Sequence, residues 1–149
     1  MRYLLAAINA KYIHSNLGIY SLKCYTETYL DRDLQPEAEI LLGEYTINHQ
    51  MERILQDIYR KNPEVVGFSC YIWNISYVEM LVRDLKKIRP DVRIWLGGPE
   101  VSYDAGKVLQ RLPEAELVMM GEGEETFCRL VRAMEEKVPV QVEAFSDIP

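Results

Sequence analysis

Residues 65–72 read Val-Val-Gly-Phe-Ser-Cys-Tyr-Ile, and a helical pattern with Ile75, Val78, Val82 and Leu85 on one face follows this largely apolar run. A continuous apolar run of this length is typical of a strand that helices cover on both faces of a sheet. The apolar helix face that comes next is typical of a helix that packs on that sheet. The stretch therefore predicts one strand–helix unit of an α/β fold.

Further apolar runs divide the chain in the same way at intervals of about 30 residues, the usual size of such a unit. The predicted strands are Tyr3–Ile8, Ala38–Leu42, Val65–Ile72, Val92–Leu96 and Leu117–Met120. Helical patterns lie between and after them, over residues 16–30, 47–58, 75–85, 104–112 and 127–134. Right-handed connections then predict a doubly wound α/β fold, a flavodoxin-like (Rossmann-like) three-layer sandwich with a mainly parallel five-stranded sheet in the order 2-1-3-4-5.

Helix ends and caps agree with this division. Proline cannot continue a helix, and it ends predicted helices at Asn62-Pro63, Arg89-Pro90 and Leu112-Pro113. Asn74 and Ser102 are residue types that favour N-cap positions, and we expect them to cap the helices that follow.

The length of 149 residues and the hydrophobic content of 48% fit one domain with its own core. We expect residues 1–137 to form this domain and residues 138–149 to be a linker or an edge segment. No apolar run approaches the ~20 residues of a membrane span, and the N-terminus lacks a signal-peptide cleavage pattern. The sequence therefore predicts a cytoplasmic protein with no membrane span.

Charge and cysteine content exclude further classes of function. The net charge is −6, from 17 basic and 23 acidic residues, so the chain lacks the positive surface of a nucleic-acid-binding protein. Cys24, Cys70 and Cys128 are widely spaced and form no Cys-x-x-Cys pair. We expect reduced, mostly buried thiols.

Ligands of such sheets bind beyond the carboxyl ends of the strands. The stretches that follow the predicted strands there are rich in glycine, hydroxyl and aromatic residues, and glycine lets a ligand approach the backbone closely. Glutamates 122, 124 and 125 supply pocket carboxylates or complement the positive end of the last helix, and both alternatives stay open. The candidate binding residues are Asn9, Tyr12, Ser15, Gly18, Ser69, Tyr71, Trp73, Gly97, Gly98, Pro99, Glu100, Gly121, Glu122 and Gly123.

Several ligand classes lack their motifs. The segment Gly121–Thr126 has no third glycine for a dinucleotide fingerprint, and no Walker A sequence occurs. Asn9 and Ser69 stand where a phosphoacceptor receiver would carry aspartates. Neither His14 nor His49 belongs to a metal-ligand spacing or a catalytic triad. The residues themselves thus predict a ligand-binding α/β domain with no catalytic residues of its own.

Three strand-end sequences resemble the N-terminal cobalamin-binding domain of cobalamin-dependent radical SAM proteins. That group includes anaerobic Mg-protoporphyrin monomethyl ester oxidative cyclases and many radical SAM methylases. The segments are Val66–Asn74, Leu96–Ser102 with Gly-Gly-Pro-Glu, and Met120–Phe127 with Gly-Glu-Gly-Glu-Glu. The tail Phe145–Pro149 resembles the link into the radical SAM barrel.

The resemblance implies a corrin ring at the carboxyl edge of the sheet, with its nucleotide tail in a cleft. Ser69 matches the serine that hydrogen-bonds the base of the tail, and Gly97 and Gly98 match the glycines that leave room for it. Gly121–Gly123 would line the same cleft. The Tyr71–Trp73 segment is a candidate cover for the lower corrin face.

The sequence departs from the cobalamin carriers that ligate cobalt with the histidine of Asp-x-His-x-x-Gly. Around His14 there is no preceding aspartate, and Gly18 comes one residue too late, so we expect cobalamin without a histidine ligand. The Cys-x-x-x-Cys-x-x-Cys motif for a [4Fe-4S] cluster does not occur in this chain. We therefore expect a part of a larger protein, whose radical SAM barrel would bind the cluster and S-adenosylmethionine and carry out methyl transfer or radical chemistry.

Two alternatives remain. One is a flavin mononucleotide domain, for which the hydroxyl and amide donors of residues 14–18 would form the phosphate loop. The other is a cofactor-free recognition module, in which the strand-end aromatic residues contact a protein or a substrate.

Overall fold

The computed structural model describes residues 1–9, 17–47, 50–71, 74–102, 104–121, 123–137 and 144–146. Its strands are β1 (Arg2–Asn9), β2 (Glu39–Thr46), β3 (Val65–Ser69), β4 (Arg93–Gly97), β5 (Leu117–Met120) and β6 (Ala144–Ser146). Its helices are α1 (Leu17–Tyr29), α2 (Met51–Lys61), α3 (Ile75–Ile88), α4 (Pro99–Ser102), α5 (Ala105–Arg111) and α6 (Glu124–Glu135).

All neighbouring strands pair in parallel, in the order β2-β1-β3-β4-β5-β6. The doubly wound α/β fold and the predicted order of the first five strands are confirmed. The difference is the short strand β6, which pairs with residues 118–120 of β5 and extends the sheet by one strand. Its pairing satisfies backbone groups that β5 would otherwise expose at the sheet edge.

Alternation along the buried strands divides the core into two halves. Leu4, Ala6 and Ile8 of β1 face the cluster that holds the buried residues of α2 and α3. Tyr3 and Leu5 face the other cluster, to which α1 and α6 contribute Ile19, Phe127 and Val131, among others. A strand that is buried on both faces needs apolar residues at every position, which explains the continuous apolar runs.

Specific hydrogen bonds explain two of the element ends that differ from the predicted ones. Strand β3 ends at Ser69 and not at residue 72, since the amide of Tyr71 donates a hydrogen bond to the side chain of Asn74 and the chain turns there. Helix α2 begins at Met51, because Ile47 still donates its amide to the carbonyl of Asn9 in β1.

Neither of the two predicted cap residues makes the cap hydrogen bond that we expected of it. Ser102 ends α4, and its hydroxyl donates to the carbonyl of Gly98 (2.8 Å) instead of capping α5, whose N-cap is Asp104. Asn74 does stand at the N-cap of α3, but its side chain makes no cap hydrogen bond.

All three cysteines are free thiols, and two of them, Cys70 and Cys128, are buried, in agreement with the prediction of mostly buried cysteines. Cys24 is exposed on α1. In the part of the chain that the structure describes, no helix combines the length and the apolar character that a membrane crossing requires.

Candidate functional site

A cleft of about 280 Å³ lies at the carboxyl end of the sheet, on the face that α1 and α6 cover. Its floor follows from strand register, because Ala7, Ser69, Gly97 and Met119 are neighbours across β1, β3, β4 and β5. Residues in register on adjacent parallel strands point to the same face of the sheet. Small side chains at neighbouring positions therefore make a depression in that face.

The glycines of the floor are closely approached by apolar side chains. A Cβ atom at Gly67 would lie 3.1 Å from Leu5 Cδ2, and a Cβ atom at Gly97 would lie 3.4 Å from Met119 Cε. Larger residues at these positions would push the neighbouring side chains aside or fill the cleft. The missing side chains thus define its shape.

Helices α1 and α6 form the wall opposite the floor. Gly18, Ile19 and Leu22 line the cleft from the first turns of α1, and Gly123 and Glu124 line it from the start of α6. The two helices touch at this place: a Cβ atom at Gly123 would lie 3.4 Å from Leu22 Cδ2. In addition, Ser21 Oγ donates a hydrogen bond to Glu124 Oε1 (2.9 Å). One carboxylate at the cleft is therefore already engaged in holding the wall together.

Gly98 has a different role from Gly97, although the two are adjacent. Its φ is +102°, and a Cβ atom would lie 2.4 Å from the carbonyl oxygen and 2.8 Å from the nitrogen of Cys70. The amide of Cys70 donates to the carbonyl of Gly97 (2.7 Å), and the amide of Glu100 donates to the carbonyl of Cys70 (3.3 Å). Only glycine allows the loops after β3 and β4 to pack so closely.

The thiol of Cys70, next to these loops, is fully buried. Burial raises the pKa of Cys70 well above its ordinary value, so the thiol stays protonated at neutral pH. Among the described residues there is no group of three His, Cys, Asp or Glu side chains that could hold a metal ion. The cleft lining offers hydroxyls, backbone groups, apolar side chains and the carboxylate of Glu124.

The structure brings most of the described candidate residues together at this cleft. Eight of them line it: Gly18, Ser69, Tyr71, Gly97, Gly98, Pro99, Gly121 and Gly123. Asn9 and Glu100 do not line it, since Asn9 is buried at the end of β1 and Glu100 is exposed on α4. The remaining candidates lie outside the described residues: Tyr12, His14, Ser15, Trp73 and Glu122.

Sequence reasoning missed much of the apolar lining. Leu5, Ile19, Leu22 and Met119 carry no signal in a sequence, because a residue at the wall of a cleft looks like any other core residue. Gly67 did carry a signal, since glycine inside a buried strand marks a close approach. The missed lining residues are Leu5, Ile19, Leu22, Gly67, Phe68 and Met119, whereas Glu124, one of the glutamates considered as pocket carboxylates, does line the cleft.

Comparison with known proteins identifies the family to which this fold and cleft belong. The family model of the B12 binding domain matches residues 3–131, which is most of the chain. This chain belongs to the B12-binding domain family. The resemblance stated from the three strand-end segments is thereby confirmed, and cobalamin is the ligand class that the family supports.

Relatives and solved structures extend this finding. The chain is 32% identical over 69 residues to "Cobalamin-dependent radical SAM methyltransferase TokK" of Streptomyces tokunonensis, covering 46% of this chain and 10% of that protein. It is 26% identical over 85 residues to "Anaerobic magnesium-protoporphyrin IX monomethyl ester cyclase" of Rubrivivax gelatinosus, covering 57% and 15%. The chain thus spans only a small part of the length of these relatives.

The fold matches that of the cobalamin-dependent S-adenosylmethionine radical enzyme OxsB, whose structure holds aqua-cobalamin and S-adenosylmethionine. The TM-score is 0.72 at 16% identity, and the match covers 93% of this chain and 19% of the OxsB chain. At this identity the match establishes the doubly wound fold.

The cleft fits a part of a cobalamin. Its volume of about 280 Å³ is just below the roughly 300–1,000 Å³ of small-molecule sites, so it suits a portion of a large cofactor such as the nucleotide tail. The floor of Gly67, Ser69 and Gly97 leaves space for a flat group, and Leu5 and Met119 supply apolar contacts on either side. Ser69 adds a hydroxyl that can donate to a ring nitrogen.

Proposed function

We propose that this chain holds and orients the cobalamin of a larger radical SAM protein, with the nucleotide tail of the cofactor in the α1/α6 cleft. The observation that carries the proposal is the row of small residues Ser69 and Gly97, beside Gly67, under helices α1 and α6 at the carboxyl edge of the sheet. The family match supports cobalamin as the ligand. The flavin alternative depends on residues 14–18, most of which lie outside the described residues, and no observation favours it.

The residues of this chain would act by binding and positioning. The hydroxyl of Ser69 would donate a hydrogen bond to the base of the tail, and the missing side chains of Gly67 and Gly97 would leave room for that base. Leu5 and Met119 exclude water from this contact. Each of these interactions fixes the cofactor, and none of them moves a proton or forms a covalent bond.

The chemistry would belong to the whole protein. Cobalamin, when bound, supplies a cobalt centre that can carry a methyl group or assist a radical reaction. The names of the relatives favour methyl transfer or an oxidative cyclase-like reaction, carried out with a [4Fe-4S] cluster and S-adenosylmethionine in a radical SAM domain. We place the cobalamin-binding domain in residues 1–137 and the connection toward that domain in residues 138–149.

Titration of the purified chain with hydroxocobalamin, followed by visible absorption and gel filtration, tests this proposal. We expect cobalamin to co-elute with the chain, and its spectrum to be base-off because the tail occupies the cleft. Since we expect no histidine ligand, the variant His14→Ala should give the same spectrum. If neither this chain nor the full-length protein retains cobalamin, the proposal is wrong.

A pair of serine variants tests the role of the cleft. Ser69→Ala removes the hydroxyl on the floor and should weaken cobalamin binding about fivefold, the effect of one lost hydrogen bond of about 1 kcal/mol. Ser76→Ala, on the exposed side of α3, is the matched control and should bind cobalamin like the unchanged chain. Equal affinities for all three proteins would remove Ser69 from the site.

A further inference from the structure

The side chain of Asn74 is one of the few buried polar groups among the described residues, and it lies between the ends of two strands. It is 1% exposed. Its Nδ2 group donates to the carbonyl of Ile8 in β1 (2.9 Å) and to the carbonyl of Ser69 at the end of β3 (3.1 Å). Its Oδ1 atom accepts a hydrogen bond from the amide of Tyr71 (2.7 Å).

These three hydrogen bonds engage every donor and acceptor group of the Asn74 side chain. A primary amide has two N–H groups and one carbonyl oxygen, and at Asn74 each finds a backbone partner. Aspartate would keep the acceptor and lose both donors, and leucine would lose all three bonds. Because the site is buried, the backbone partners of Asn74 could not form hydrogen bonds with water instead.

The position of Asn74 is the switch point of the doubly wound sheet. Strands β1 and β3 are parallel neighbours, yet α1 packs on one face of the sheet and α3 on the other. Folds of this type usually bind their ligands in the crevice between two such strand ends. Here the amide of Asn74 bridges the strand ends, and the cleft opens beside it, lined there by Ser69 and Tyr71.

We propose that Asn74 is a positioning residue for the cofactor cleft: it locks the Ser69–Tyr71 segment to the end of β1 and thereby fixes how Ser69 and Tyr71 face the ligand. Asn74 itself does not line the cleft, so it acts through its neighbours. The inference rests on the proposed binding of cobalamin. It assigns to this asparagine a role beyond the helix cap that its sequence position suggests.

Two variants of Asn74 remove different sets of its hydrogen bonds. Asn74→Asp has the same size and keeps the acceptor for the amide of Tyr71, whereas Asn74→Leu removes all three hydrogen bonds. Glu116→Ala is the control at the amino end of the sheet, because it removes the hydrogen bond from the buried side chain of Trp95 Nε1 (2.9 Å) together with the ion pair to Arg93. Thermal unfolding first establishes a temperature at which each variant is folded.

Two readouts are then taken on the folded proteins. Hydrogen exchange of the Tyr71 amide, measured without ligand, should accelerate in Asn74→Leu and much less in Asn74→Asp. Affinity is measured for cobalamin and for cobinamide, which lacks the nucleotide tail. By analogy with residues that orient metal ligands, whose loss weakens binding about 10–100-fold, we expect both variants to bind cobalamin about tenfold more weakly. Their affinity for cobinamide should fall less than their affinity for cobalamin, because cobinamide has no tail to contact Ser69.

The outcomes distinguish this inference from the proposed function. If the unchanged chain binds cobalamin and a folded Asn74 variant binds it equally well, the inference is wrong and the proposed function stands. If Asn74→Leu does not fold, Asn74→Asp alone decides between these results. Loss of cobalamin binding in Glu116→Ala equal to that in the Asn74 variants would also overturn the inference, since the effect would then follow from stability alone. If the unchanged chain and its full-length protein bind no cobalamin, both fail.

Discussion

The two ends of the sheet face under α1 and α6 are built from the same strands and differ in side-chain size. At the amino end, which we call the packed end, Tyr3, Trp95 and Phe127 fill the face, with ring centroids 6.1–6.3 Å apart. At the carboxyl end, the open end, the same face carries Ser69 and Gly97 and forms the cleft, which Gly67 borders from the middle of β3, in register with Trp95.

This difference arises within a single strand. In β4, Trp95 and Gly97 point to the same face, two residues apart, and one is fully buried while the other borders the cleft. The packed end also satisfies its polar groups, since Tyr3 donates to Glu135 (2.8 Å) and Trp95 donates to Glu116 (2.9 Å). Small residues at one end of an otherwise well-filled layer therefore create the cleft.

Removal of a large side chain from the packed end should have the largest effect on stability. Trp95→Ala deletes the indole ring between Tyr3 and Phe127 and its hydrogen bond to Glu116. We expect the free energy of unfolding to fall by about 3–5 kcal/mol, measured by chemical denaturation. A loss below about 1 kcal/mol would show that this end is not closely packed.

A substitution in the loop after β4, next to the open end, should have the second largest effect on stability. In Gly98→Ala, the new methyl group meets the carbonyl oxygen of Cys70 at 2.4 Å, and the backbone has a φ of +102°. Such strain costs about 1–3 kcal/mol, and the clash adds to it, so we expect a loss of about 3 kcal/mol. Gly106→Ala is the matched control, because nothing lies within 4 Å of that position. Equal stability of the two variants would refute the structural role of Gly98.

The ionisation of Tyr3 at alkaline pH should have a smaller effect on the free energy of unfolding. Burial, and then the hydrogen bond to Glu135, raise the pKa of Tyr3 above its ordinary value of 10.0. The unfolded chain therefore releases this proton at a lower pH than the folded chain, so the stability that Tyr3 contributes is complete below about pH 10 and is lost as the pH rises above it.

The variant Tyr3→Phe cannot ionise, and its free energy of unfolding should fall less steeply between about pH 9.5 and pH 11 than that of the unchanged chain. Tyr29→Phe is the control, because Tyr29 is 61% exposed. Denaturation at several pH values measures the slopes. Identical slopes for Tyr3→Phe and the unchanged chain would contradict the burial of an un-ionised Tyr3.

Most of the fold could be predicted because it depends on local patterns. Apolar runs and helical periods identified the first five strands, and the rule for right-handed connections gave their order. The element ends were less accurate, since they depend on individual hydrogen bonds that apolar patterns do not reveal. The amide of Ile47 extends β2 by bonding to Asn9, and Asn74 shortens β3 by holding the amide of Tyr71.

The candidate site was only partly predictable for a related reason. Glycines at strand ends stand out in a sequence, and many of them line the cleft. The difference between Gly97 and Gly98 does not stand out, because it depends on which loop packs against each of them. Leu5 and Met119 could be placed at the cleft only after the register of the strands was known.

The most direct test of the placement of the cofactor tail puts a larger side chain into the open end. Gly97→Val adds a side chain where Met119 Cε already approaches to 3.4 Å, and Gly106→Val adds the same side chain in open space on α5. Affinities for cobalamin and for cobinamide are measured on both folded variants. We predict that Gly97→Val binds cobalamin at least about tenfold more weakly, with cobinamide unaffected, because the lost contact belongs to the tail alone. Unchanged cobalamin binding in Gly97→Val, or an equal loss in Gly106→Val, would contradict the placement of the cofactor tail in the cleft.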